Sequence, residues 1–181
     1  MNINMVNGIM FIIAGLTPFI LYLGLGPDGL GFFNQARTEQ LFAYLYFSLP
    51  IAFLMTRRIE SNYFVDSGLL ILVASMSMSM VADALKADIN FTDMSNAVAV
   101  TAYSSSMLGV SVCAIGFFQT NIFPKWLSIL FCLVTIITFI ILAMSRAPEL
   151  DTNIMLIPFV ISFHLISVSY THLTLPTKVR V

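Results

Sequence analysis

Ser95-Asn-Ala-Val-Ala-Val-Thr-Ala-Tyr-Ser-Ser-Ser-Met-Leu-Gly-Val-Ser-Val-Cys-Ala-Ile-Gly-Phe-Phe118 runs for 24 residues without a charged side chain. Within it Ser95, Ala99, Ala102, Ser106, Gly109, Cys113 and Gly116 alternate steps of four and three, which places all seven on one face of an α-helix. The run exceeds the roughly 20 apolar residues that a membrane crossing requires. It is also continuous, where a barrel strand would alternate with a period of two. Lipid provides little hydrophobic drive between helices, so close backbone approach through small side chains is what holds a bundle together. The stretch therefore predicts a transmembrane helix whose face of Ala99, Ala102, Gly109, Cys113 and Gly116 packs on a neighbour.

The rest of the chain has the same character. Of its 181 residues 59% are hydrophobic and 9% charged, with a mean hydropathy of +0.93, against roughly a quarter charged in soluble domains. Apolar runs at about 8–25, 39–56, 67–85, 95–118, 126–144 and 153–167 predict an all-α, polytopic transmembrane helical bundle of six spans. The sixth is clearly apolar only to Ile166 and looks truncated. Residues 1–167 read as a single transmembrane domain, with no room for a soluble catalytic domain. No Lys or Arg precedes the first run and no cleavage pattern follows it, so it reads as a retained helix. The expected location is a bacterial inner (plasma) membrane. Basic loop residues divide evenly between the two sides, while Asp28, Glu39, Asp88, Asp93, Glu149 and Asp151 collect on one, which leans the N-terminus to the cytoplasm.

Composition also removes function classes. The net charge is −1 and the eight basic residues are scattered, so no nucleic-acid partner is expected. Cys113 and Cys132 lie inside apolar runs without metal-ligand spacing, and no metal or cofactor is expected. Gly24-Leu-Gly26-Pro-Asp-Gly29 matches a dinucleotide fingerprint in letters only, because it follows a transmembrane run and carries Pro27. No nucleophile elbow, phosphate loop or zinc-protease motif is present in the sequence.

Polarity within the spans marks the candidate sites. Ser75, Ser79 and Asp83 follow at four-residue steps, so two hydroxyls and a carboxylate share a face that Gly68 and Ala82 extend. A polar face in lipid turns inward, and an intramembrane carboxylate marks an ion or proton site by default. Asp83 lies close to Lys86, and an interfacial helix-end role competes with the site reading. Tyr103 to Ser106 sets four consecutive hydroxyls on the 95–118 span, where Tyr103 and Ser106 could face Ser75 and Ser79 or act as interhelical hydrogen-bonding groups. His164 is a lone histidine on an apolar run, and a catalytic pair with Asp83 would need a contact between spans. Pro18, Pro50 and Pro158 interrupt three spans.

Three segments carry resemblances. The opening Gly8-Ile-Met-Phe-Ile-Ile-Ala-Gly15, Ala114-Ile-Gly116 and Phe123-Pro-Lys-Trp-Leu127 resemble small multi-pass bacterial membrane families of unknown function, which implies no activity. From about Val168 the text Val-Ser-Tyr-Thr-His-Leu-Thr-Leu-Pro-Thr resembles a translated sequencing-adapter read-through. Residues 168–181, with His172, accordingly read as a non-native tail.

The expected function is non-enzymatic binding or transport of a small molecule or ion, with Asp83, Ser75, Ser79, Tyr103, Ser106 and His164 as candidate ligands. The competing expectation is a structural or accessory subunit. There the small-residue stripe and Met76, Met78 and Met80 would dock a membrane partner or a second copy.

Overall fold

The computed structural model describes residues 3–20, 37–38, 44–57, 60, 62–86, 88–145 and 161. Its elements are α1 (Ile3–Phe19), α2 (Ser48–Thr56), α3 (Tyr63–Lys86), a 3-10 turn (Ile89–Phe91), α4 (Thr92–Thr120) and α5 (Lys125–Met144). No strand occurs among the described residues, and the protein is all-helical there.

Three helices, α3, α4 and α5, are long and apolar enough to cross a membrane. At 1.5 Å per residue they measure about 36, 44 and 30 Å, against a hydrocarbon core of roughly 30 Å. All three begin before the expected runs, because hydropathy marks where apolar residues start and a helix starts at its cap. Asn62 supplies that cap for α3, its Oδ1 accepting the Val65 N–H at 2.9 Å.

Six spans exceed what the described helices supply. The first is apolar over Met5–Thr17 and the second over Tyr44–Thr56, both short of 18 residues. Within the second, Pro50 offers no N–H to the carbonyl of Tyr46. The chain turns at Phe47 within one turn of that proline, with Phe47 N donating to Tyr44 O at 3.3 Å. Residues 21–36 and 39–43, and the sixth span apart from Ile161, lie outside the described residues, with Pro158, His164 and the 168–181 tail.

Helices α3, α4 and α5 follow one another antiparallel, and α4 packs on both of the others. Between α3 and α4 the turn is locked by Asp88, whose Oδ1 accepts from the backbone and side-chain nitrogens of Asn90 at 3.0 Å each. Between α4 and α5, Asn121 adopts the left-handed conformation (φ 54°) that commonly ends helices, and Pro124 caps the next. At the end of the bundle shared by these caps, Phe11, Phe53, Phe117, Phe123 and Phe131 form an edge-to-face cluster with centroids 5.0–6.4 Å apart. It ties α1 and α2 to the α4–α5 pair.

Candidate functional site

The interface of α3 and α4 gathers most of the polar side chains expected to matter. All seven small residues of the α4 stripe are buried. On α3, Val65, Gly68, Leu72, Ser75, Ser79 and Ala82 are buried in the complementary three-four repeat. Two such seams facing each other give the period of knobs-into-holes packing.

The helices come closest at their glycines. A Cβ built on Gly68 would lie 2.6 Å from the backbone nitrogen of Cys113 and from the carbonyl oxygen of Gly109. On Gly109 it would lie 2.9 Å from Gly68 O and Leu72 N. On Gly116 it would meet Val65 Cγ2 at 2.5 Å and Asn62 Oδ1 at 2.7 Å. The Cys113 thiol lies here too, with its Sγ 3.6 Å from Val65 O. Asn62 closes one end of the seam, donating to Gly116 O at 3.3 Å and to Gln119 Oε1 at 3.2 Å. Ser95 closes the other, donating to Ala82 O at 2.8 Å.

This register places Ser75 at the level of Ala102 to Ser106, and Ser79 one turn further toward the Asp83 end. Ser75, Ser79 and Asp83 are 1%, 4% and 8% exposed, and Ser106 on the facing helix is 1% exposed. Tyr103 is partly buried against the core. The three serine hydroxyls spend their protons locally, on Ile71 O (2.6 Å), Met76 O (2.9 Å) and Tyr103 O (2.7 Å). Each oxygen then has acceptor capacity left and no proton to give. The seam at this level therefore carries oxygen lone pairs, with the Asp83 carboxylate two turns of α3 beyond Ser75.

Asp83 sits three residues, about 4.5 Å, from the end of α3. Asp88 lies in the turn that follows and Asp93 in the first turn of α4. Among the described residues no group of three His, Cys, Asp or Glu side chains is placed to hold a metal. Met76 faces the core, 3% exposed, whereas Met78 is 37% exposed, so the methionine run does not form one surface.

Two features were not read from the sequence. The buried hydroxyls of Ser111 on α4 and Thr135 on α5 lie 2.7 Å apart. Their signal was present in the three-four spacing of Ser128, Phe131, Thr135, Thr138 and Leu142, all buried. The second is an exposed two-point ion pair between Arg57 and Asp66, Nε to Oδ1 at 2.8 Å and Nη2 to Oδ2 at 3.2 Å, which joins the end of α2 to the first turn of α3.

Comparison with protein-family models, with curated proteins and with solved structures finds no match to this chain.

Proposed function

We propose that the chain is a non-enzymatic membrane protein that binds or transports a small ligand, cation or proton at the Asp83 end of the α3–α4 seam. The observation that carries this reading is Asp83 itself, a carboxylate 8% exposed on the same helix face as the buried hydroxyls of Ser75 and Ser79. Acidic groups retained within apolar helices mark ion and proton paths. The hydroxyl oxygens, with their protons committed to backbone carbonyls, extend an acceptor lining toward the middle of the bilayer.

The same reading takes the chain as six spans in a bacterial plasma membrane with the N-terminus cytoplasmic, which turns the Asp83 end outward. Asp88 and Asp93 at that end would concentrate cations at its mouth. A docking role for the α4 stripe is the weaker alternative, because α3 of the same chain already occupies that face.

Replacing Asp83 by Asn and by Glu tests the proposal in proteoliposomes, with proton, sodium and potassium gradients read by ion-sensitive dyes. Flux or ion binding is expected to fall at least tenfold in D83N and to be largely retained in D83E. Equal signals from wild type and D83N at matched reconstitution would sink it.

A further inference from the structure

On the opposite face of α4 the packing is incomplete. A groove of about 220 Å³ runs between α4 and α5, with Ala114, Ser128 and Cys132 among the small residues of its lining and Phe118, Ile129 and Leu133 among the large ones. Its exposed surface is entirely apolar. Phe118, Ile129 and Leu133 are 39%, 47% and 53% exposed, so the groove opens outward from the bundle.

A further observation bears on what covers it. The Lys125 ammonium lies 5.5 Å from the centroid of the Phe118 ring, which places a positive charge over the groove wall. Lys125 is exposed, and no carboxylate among the described residues pairs with it. Reading downward from the helix start, the wall offers a cation and then hydrocarbon. An anionic phospholipid presents the matching order of phosphate and acyl chain.

We propose that the α4–α5 groove binds one acyl chain of an anionic phospholipid, with Lys125 on the phosphate. The proposal rests on the membrane reading of α3 to α5 and is independent of the Asp83 site. A basic side chain near an anionic headgroup is worth about a fivefold preference.

Trp126 gives the readout, since it is the only tryptophan in the chain, neighbours Lys125 and is 60% exposed. The full chain is reconstituted in phosphatidylcholine and phosphatidylglycerol mixtures in which one lipid at a time carries brominated chains. Brominated phosphatidylglycerol is expected to quench Trp126 with about fivefold higher apparent affinity than brominated phosphatidylcholine. The preference should vanish in Lys125→Gln, and at about 1 M salt, where the screening length is ~3 Å. Cys132→Leu, which fills the groove, should lower quenching by both lipids. Equal quenching by the two lipids in the wild type overturns the proposal, as does a preference that survives in Lys125→Gln. Weak quenching by both lipids equally overturns it. Lys125 is exposed, so its variant tests the idea even if Cys132→Leu does not fold.

Discussion

On the face that α4 turns to α3, backbone meets backbone at Gly68 and Gly109, with Ser95 and Asn62 fastening the two ends. On the face it turns to α5, side chains make the contact, from Phe117 and Phe131 in the aromatic cluster to the Ser111–Thr135 hydroxyl pair, and an open groove remains. One helix thus carries both a seam that tolerates no added atom at its glycines and a seam with room to spare. In lipid both faces are apolar and the hydrophobic effect does not choose between them. Closeness of approach decides, and residue size along each face sets it.

Gly109→Leu should give the largest effect. Its side chain would meet Gly68 O and Leu72 N, which are backbone atoms and cannot rotate away. Overpacking costs typically 1–3 kcal/mol, and here the upper end or more is expected because a whole helix must shift. In thermal unfolding of the detergent-solubilised chain, Gly109→Leu should lose the cooperative transition. Cys132→Leu on the looser seam should leave it nearly unchanged. Similar losses from the two would break the distinction.

Asn62 should rank next. It caps α3 through Val65 N and reaches Gly116 O and Gln119 across the seam. Removing an N-cap costs about 1 kcal/mol, and the lost crossing bonds add to that, so Asn62→Ala is expected to cost about 1–2 kcal/mol. Asn62→Asp keeps the capping oxygen and removes the amide donors, so it should recover roughly half the loss. Full recovery in Asn62→Asp would show that the seam gains nothing from these bonds.

The tight seam was legible because glycine, alanine and serine at a four-three interval have one physical use in lipid. Its polar end was legible too, since Ser75, Ser79 and Asp83 stand out against an apolar helix and are all buried. The register was not, because seven small residues at equal intervals pack equally well one heptad along. Gly68 against Gly109 is fixed by the length of the 86–92 turn and by Ser95 reaching Ala82. Nor were the partners of the serine hydroxyls legible, since a serine in a helix donates to its own carbonyls or to a neighbour at similar cost. Phe53 and Phe117 carry no positional signal either, because a phenylalanine is as much at home against lipid as in a cluster.

The Ser111–Thr135 pair should have the smallest effect, and it tests whether hydroxyls hold the looser seam at all. Each oxygen lies near a carbonyl of its own helix, Ser111 at 3.0 Å from Met107 O and Thr135 at 2.8 Å from Phe131 O, and each has a single proton. Whichever hydroxyl donates across the 2.7 Å contact gives up its own carbonyl bond, so the pair gains one interhelical bond at the expense of one local bond. Coupling between such groups in membranes averages about 0.6 kcal/mol. A double-mutant cycle of Ser111→Ala and Thr135→Val should return about that value, because valine keeps the threonine shape and removes only the hydroxyl. A coupling near zero would mean that shape alone seats α5. A value above roughly 1.7 kcal/mol would exceed the largest such couplings in membranes and make the hydroxyl pair, rather than the aromatic cluster, the main fastening of this seam.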